Sequence, residues 1–241
     1  VAVERDRTVE VLIRKGNVKF QETQSLYADS TFFHVFDFKL LEGNPNTALS
    51  EPFSIVLSET AAKKYFGDTD PLGQTVLFTG GGLPAKITGV MKDMPENSQI
   101  RADVLVSMST LTKNFQKGLD DQWGNYGNTT YVLLKPGTNP KALEAQLPAF
   151  LERRNGTEMK QSNMYPTLRL EPLKDVYLYS TRGGSKTGNI NNVYIFSLVA
   201  VFILLIACFN FVNLTTARSA NRAREVGIRK VVGAAKGQLT G

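Results

Sequence analysis

The feature that most constrains this chain is an uncharged, apolar-rich run near its C-terminal end. Residues 189–217 contain no Asp, Glu, Lys or Arg, and the stretch from Val193 to Val212 is almost entirely apolar. About 20 helical residues at 1.5 Å rise cover about 30 Å, the hydrocarbon thickness of a bilayer. A buried core helix can be equally apolar, but it rarely runs this long and then ends in a basic cluster. We therefore predict a transmembrane helix at 193–217.

The residues after this run are strongly basic. Positions 218–241 hold six Lys or Arg residues and one acidic residue, Glu225. Lys and Arg next to a spanning segment are retained in the cytoplasm. We therefore expect a cytoplasmic C-terminus, with residues 1 to about 187 on the outer side of the membrane. Arg218 and Arg222, next to the apolar run, are predicted to anchor the membrane boundary against lipid.

The positive charge of the chain comes mainly from this tail. The whole chain carries +6, and residues 218–241 alone contribute +5. Residues 1–217 then hold 22 basic and 21 acidic groups, so they are nearly neutral. A nearly neutral outer region argues against a nucleic-acid partner.

The residue inventory offers little for catalysis or for a cofactor. The single Cys, Cys208, lies inside the apolar run, and the single His, His34, lies among phenylalanines, where it is predicted to pack or to be half exposed. The run 183–187 lacks the spacing of a phosphate-binding loop, and Asp120-Asp121 is predicted to be a solvated pair in a polar loop. We predict no catalytic residue, no metal site, no cofactor and no ATP hydrolysis by these residues.

The outer region alternates short strands and helices. A hairpin is predicted from Val9 to Phe20 around Lys15-Gly16-Asn17, and a helical turn at Ser30–Phe36. Ser58 is predicted to cap a helix that Gly67 ends. Further strands are predicted at Phe53–Leu57, Thr75–Thr79, Ala85–Met91, Asp103–Ser107, Thr129–Leu134 and Thr167–Glu171.

Two more helices complete this pattern. One is predicted near Ser109–Lys117, and the other begins after Asn139 with Pro140 at its first position and is bent at Pro148. A linker follows at 182–192. The fold class is therefore α+β with antiparallel hairpins. The chain begins at Val1 without a signal peptide although most of it must cross a membrane, so we expect it to belong to a longer protein.

Two motifs carry a resemblance to a known family. The first is FNFVNL at 209–214, followed by Arg218 and by REVGIRKVVGA at 224–234; the second is Ser58-Glu59 to Phe66-Gly67 with Asp70-Pro71-Leu72-Gly73. The sequence resembles the permease subunit of an ABC transporter of the MacB/FtsX-like family. It departs from the family pattern because the first transmembrane helix and the later ones do not occur in it.

The resemblance implies an architecture and a set of partners, and it places the chain at the cell inner membrane with residues 1 to about 187 in the periplasm. A porter-like subdomain is expected at 1–49 and 97–181, with a small inserted α/β subdomain at 50–96, and a cytoplasmic coupling segment at 218–241. A separate cytoplasmic ABC ATPase is implied, together with a second permease subunit as homo- or heterodimer, membrane lipid and a periplasmic partner protein. The ATPase cycle would drive export or mechanotransmission through the membrane helices.

The tail has the pattern of a docking helix. Ile228, Val231 and Val232 fall at i, i+3 and i+4, so a helix from Arg224 to Ala234 would present an apolar strip that could dock in a partner groove. The resemblance implies that this is the coupling helix, with Glu225, Arg229 and Lys230 as polar contacts to the ATPase.

Within the spanning segment, Asn210 and Asn213 would share one face and would be costly against lipid. We predict that they pack against other helices of the same bundle.

One alternative from another class stays open. The outer region could be an extracytoplasmic sensor domain of a membrane receptor, whose helix relays a ligand signal. A permease should continue into further hydrophobic runs of about 20 residues, whereas a receptor should continue into long polar heptads.

Overall fold

A computed structural model of the chain describes residues 2–180 and 188–233. The chain falls into two compact units, Val1–Leu170 and Glu171–Gly241. All strands of the described residues belong to the first unit, and the long apolar helix belongs to the second. The run 183–187, Ala234 and the rest of the tail lie outside the described residues.

A long antiparallel hairpin begins the first unit. Strand β1 (Ala2–Lys15) pairs with β2 (Val18–Ala28), from Lys15 opposite Val18 to Asp6 opposite Ala28. Gly16 in the turn has a φ of 57°, a left-handed conformation that glycine adopts without a Cβ clash. The predicted hairpin is confirmed, and its strands extend well beyond the apolar alternation that predicted them.

Six more strands follow the hairpin in the first unit. Their bounds are β3 Leu40–Gly43, β4 Ser54–Ser58, β5 Thr75–Phe78, β6 Leu83–Met91, β7 Val104–Ser107 and β8 Thr129–Leu133. Six of the eight strands pair in a closed ring, which runs β1, β2, β7, β4, β6 and β5, and β5 pairs again with β1. The other two attach outside the ring: β3 to β6, and β8 to the N-terminal half of β1.

Two hydrophobic clusters lie on opposite faces of β4 and β7. Ile55 and Leu57 face one cluster while Val56 between them faces the other, because successive side chains of a strand alternate. In β7, Leu105 faces the second cluster between two valines that face the first. A strand that is buried on both faces has a continuous run of apolar residues instead of an alternating pattern. Both β4 and β7 contain such a run.

Helix α2 (Glu59–Phe66) follows β4 and packs into the first cluster. The Ser58 Oγ accepts a hydrogen bond from the Ala61 N–H at 3.2 Å, and Gly67 ends the helix with a φ of 60°. Both predicted helix boundaries are confirmed.

The second cluster is rich in aromatic rings around α1 (Phe32–Val35). The Phe32 ring stacks on Phe38 at 5.6 Å between centroids, and Phe36 meets Tyr131 of β8 at 4.9 Å. His34 points away from this cluster and is exposed. The predicted helical turn is confirmed.

The segment 50–96 is joined to the rest of the unit by strand pairing. Its β4 pairs with β7, and its β5 pairs with β1. The boundaries at 49/50 and 96/97 stay predictions about subdomains.

After β7 the chain forms short helical turns and then two helices. Helix α3 (Met108–Thr110) continues into a π-helical turn, Leu111–Phe115, and a 3-10 turn follows at Leu119–Asp121. The single bent helix predicted after Asn139 is wrong: α4 (Pro140–Glu144) and α5 (Leu147–Ser162) are separate. Pro148 has no N–H and would clash with the carbonyl of Glu144, so it is accommodated in the first turn of a new helix.

The second unit holds two helices, α6 (Leu173–Tyr179) and α7 (Ile190–Val231). The strand predicted at Thr167–Glu171 is wrong, because none of the described residues pairs with this segment in a sheet. An alternating apolar pattern does not form a β-strand unless the edge of another strand is available for hydrogen bonding. The sequence reasoning missed α6, since its tyrosines were assigned to the approach to a linker.

Two carboxyl groups are buried on one face of β1. The side chains of Glu4 and Asp6 point to the same face, and burial raises their pKa values to about 8 and about 6. Glu4 Oε1 accepts a hydrogen bond from the Asp29 N–H at 2.9 Å, and Glu4 Oε2 lies 2.7 Å from the Thr31 Oγ1.

The Thr31 hydroxyl has only one hydrogen, and its oxygen also lies 2.6 Å from the Val3 carbonyl. Both contacts of Thr31 are hydrogen bonds if Thr31 donates to Val3 and a protonated Glu4 donates to Thr31. The geometry therefore matches a neutral Glu4. The nearby Asp29 carboxylate is held by Arg5, whose Nε lies 2.8 Å from Asp29 Oδ2.

A pH titration tests this assignment. Because the folded state raises the pKa of Glu4 above its ordinary value of 4.5, the folded state binds the proton more tightly. The stability that this provides is complete below pH 4.5 and is lost as the pH rises to about 8. Glu4→Gln should remove this loss, so its unfolding temperature should fall less than that of wild type between pH 5 and pH 9.

The matched control is Glu42→Gln, which removes an exposed glutamate on β3. Thermal unfolding followed by circular dichroism supplies the measurement. An identical pH dependence for wild type and Glu4→Gln would show that Glu4 is already charged in the folded protein.

Candidate functional site

The candidate functional site is α7, one helix of 42 residues. At 1.5 Å per residue it is about 63 Å long, about twice the hydrocarbon thickness of a bilayer. It contains no proline and crosses the predicted boundary at 217/218 without interruption. The spanning segment and the predicted coupling segment are therefore parts of one helix.

Local hydrogen bonds suit α7 to an apolar environment. The Asn189 Oδ1 caps its start by accepting from the Asn191 N–H at 2.8 Å. The hydroxyls of Thr215 and Thr216 donate to the carbonyls of Phe211 and Val212, each at 2.8 Å. Polar groups that are satisfied inside the helix do not need water or a partner in the bilayer.

Asn210 and Asn213 are exposed on one side of α7. They are three residues apart and so lie about 60° from each other around the helix. No hydrogen bond to either amide occurs among the residues that the structure describes. An unpaired amide facing lipid is costly, so packing against a neighbouring helix stays our prediction for both.

The C-terminal third of α7 carries a row of charged side chains along one side. Arg218, Arg222, Glu225 and Arg229 follow at intervals of four, three and four residues, which are neighbours on a helix surface. Arg229 Nη2 lies 2.5 Å from Glu225 Oε1. Both side chains are more than half exposed, so this pair contributes only about 0.3–0.5 kcal/mol.

The apolar residues of the predicted coupling helix lie beside this row. Val231 and Val232 are 88% and 82% exposed, and Ile228 is also exposed. Successive residues are rotated by about 100° around a helix. Glu225, Ile228, Arg229 and Val231 therefore all lie on one half of the helix surface. Lys230 lies on the other half. Val232 is the C-cap residue, where the helix ends.

The described residues hold no group of three or more His, Cys, Asp or Glu side chains that could bind a metal ion. Asp120, predicted to be solvated, is exposed and pairs with Arg5, whose Nη1 lies 2.5 Å from its Oδ1. Cys208 is exposed on α7.

Comparisons with known proteins identify the family of the chain. The family model described as the MacB-like periplasmic core domain matches residues 1–150. The macrolide export ATP-binding/permease protein MacB of Neisseria gonorrhoeae is 28% identical over 221 residues, which cover 90% of this chain and 31% of that protein. A probable export ATP-binding/permease protein of Pseudomonas fluorescens is 26% identical over 95% of this chain and 33% of its own length.

A solved structure supports the same assignment. A domain of a putative permease protein from Porphyromonas gingivalis has a TM-score of 0.56 and 26% identity, covering 66% of this chain and 72% of that one. The α+β fold class and the long apolar helix are confirmed. The chain spans about a third of the length of the curated relatives, and their names join ATP-binding and permease functions in one protein.

The family match covers more than half of the chain and coincides with the strand-rich unit, and the apolar helix follows it. This chain therefore belongs to the MacB-like periplasmic core domain family.

Proposed function

We propose that this chain is part of the permease of an ABC exporter, in which α7 transmits the movement of an ATPase to the periplasmic unit. The observation that carries the proposal is the continuity of α7 across the charge boundary at Arg218. A helix without a break moves as one body, so a displacement at its basic end reaches the start of the helix.

The basic end of α7 suits contact with a partner. Its apolar side chains are exposed, and its ion pair between Glu225 and Arg229 is weak enough to be exchanged for a partner contact. We assign Glu225, Ile228, Arg229 and Val231 to the ATPase contact. Lys230 lies on the other side of the helix, where it can reach lipid or a different part of the partner.

Arg218 and Arg222 have a second role in this proposal. They directly follow the apolar run on the cytoplasmic side, where each cation near an anionic membrane surface contributes about 1 kcal/mol. They would hold the depth of α7 while the residues beyond them engage the partner. Asn210 and Asn213 would face the neighbouring helices of the permease dimer.

The receptor alternative is not favoured. The relatives that match most of this chain are named as export proteins. The experiments below apply to an ATPase in a separate subunit and to one in the same polypeptide.

Charge reversal tests the contact at Glu225. Glu225→Arg should lower ATP-dependent transport by roughly tenfold, which corresponds to about 1.4 kcal/mol of lost contact energy. The measurement is ATP-dependent transport by the full-length transporter in vesicles, with ATP hydrolysis measured on the same sample and recovery of the ATPase scored where it is a separate subunit. Val231→Asp should have the same effect through the apolar strip.

A swapped pair separates a partner contact from a structural role. The double variant Glu225→Arg with Arg229→Glu restores the ion pair within the helix but reverses the charges that a partner meets. We expect it to stay defective. Full recovery in the swapped variant would mean that Glu225 acts only within α7.

The requirement for an unbroken helix is tested at Gly227, the single glycine of α7. A Cβ at this position would meet nothing within 4 Å, so Gly227→Ala should stabilise the helix by about 0.5–1 kcal/mol and keep transport intact. Gly227→Pro should cost about 3 kcal/mol of helix stability and uncouple ATP hydrolysis from transport.

Transport and ATP hydrolysis are measured on the same vesicles. If Gly227→Ala abolished transport while Gly227→Pro retained it, α7 would need a hinge at this position, and the proposal of a rigid transmitting helix would be wrong.

A further inference from the structure

Helices α6 and α7 border an open cleft within the second unit. The Gly188 N–H donates to the Tyr177 carbonyl at 2.7 Å, which ties the start of α7 to α6. A Cβ on Gly188 would lie 2.8 Å from Tyr177 Cε1 and 3.2 Å from Leu178 Cδ2. A larger residue here would require the Tyr177 and Leu178 side chains to shift, so α6 packs closely against the residue that precedes α7.

The cleft has a volume of about 540 Å³ and is open along much of its surface. Tyr177 and Leu178 line it from α6, and Asn192, Val193, Phe196 and Ala200 line it from one face of α7. Its surface is mostly apolar. Asn189 and Asn192 lie at the start of α7, and the Ser197 hydroxyl lies deeper in the cleft.

The position of the cleft in the bilayer follows from α7. The apolar run begins at Val193, and Ala200 lies about 10 Å further along the helix axis. The cleft therefore crosses the outer boundary of the hydrocarbon region. Tyr177, Tyr179 and Tyr194 are exposed near this level, and tyrosines are enriched at membrane interfaces because their rings are apolar and their hydroxyls are polar.

We propose that this cleft binds one acyl chain of a phospholipid from the outer leaflet. The apolar walls at Val193, Phe196 and Ala200 contact the chain, while Asn192 lies at the level of the headgroup. The cleft is continuous with the lipid-facing surface of the spanning segment, so phospholipid is the amphiphile present there at the highest concentration. The bound chain holds α6 at the membrane surface and so fixes where the spanning helix begins.

This proposal rests on the proposed orientation of α7, but it does not depend on contact with an ATPase. The experiment uses the full-length protein in nanodiscs that contain a phosphatidylcholine with a photoreactive diazirine in its acyl chain. After illumination, labelled peptides are mapped by mass spectrometry. ATP hydrolysis is measured on the same sample, so a failure of the lipid site and a failure of the proposed function are distinguished.

Leu198 supplies the matched internal control. It lies between Phe196 and Ala200 in depth but on the opposite side of α7. We expect Leu178, Phe196 and Ala200 to be labelled severalfold more than Leu198, and Ala200→Leu, which fills the cleft, to reduce labelling at Leu178 to the level of Leu198.

Two results would overturn the proposal. Equal labelling around α7, with none on α6, would mean that lipid contacts this helix without a specific site. An unlabelled cleft face beside a labelled Leu198 would mean that a protein helix covers the cleft. Because wild type alone supplies this comparison, the test holds even if Ala200→Leu does not fold.

Discussion

Strand β1 is the element on which the first unit depends. It pairs with β2 along most of its length, with β5 at Ile13 and Arg14, and with β8 at Ala2–Asp6. Without the pairing to β5 the ring of strands would be open, and without the pairing to β8 the aromatic contact between Phe36 and Tyr131 would be lost. One strand therefore holds together segments that are more than a hundred residues apart in the chain.

Because β1 pairs with β5 near its C-terminal end and with β8 near its N-terminal end, it buries opposite faces at the two ends. Near the C-terminal end Val11 and Ile13 point into the first cluster, whereas near the N-terminal end Glu4 and Asp6 are the buried residues. The parity of the buried positions thus changes along the strand. Burial raises the pKa of Glu4 to about 8, which favours the neutral carboxyl that is less costly to bury. The contacts of Glu4 with the Asp29 N–H and the Thr31 Oγ1, and the pairing of Asp29 with Arg5, reduce this cost further.

Local chemistry explains which parts of this fold are predictable from sequence. The boundaries at Ser58, Gly67 and Asn139 depend on groups within three residues of each helix end, so a single sequence is sufficient to identify them. Ring closure is not predictable in this way, since the parallel pairing of β2 with β7 joins distant segments. The N-terminal half of β1 escaped detection because charged residues occupy its buried face, and hydrophobic alternation has no signal for a protonated glutamate.

In α7, too, local features are predictable from sequence and other features are not. The spanning segment is predicted from its length, from its lack of charge and from the cations that follow it, which are all local properties. Sequence reasoning placed a boundary at 217/218 because composition changes there, yet backbone geometry does not respond to composition when every residue tolerates a helix. Lys230 stays a predicted polar contact that the family resemblance implies, and it lies about 100° from Arg229 around the helix.

The continuity of α7 links its two ends in rotation as well as in translation. From Asn210 to Ile228 there are five full turns at 3.6 residues per turn, so both residues lie on the same side of the helix. If a neighbouring helix satisfies Asn210 and Asn213 as proposed, it would also determine the direction in which Ile228 and Val231 point. A partner that rotated the basic end would have to turn the asparagines out of their packing, and the desolvation cost of an unpaired amide opposes that rotation. Axial displacement or tilt leaves the asparagine face directed at its neighbour, so these are the movements that such a helix can transmit at least cost.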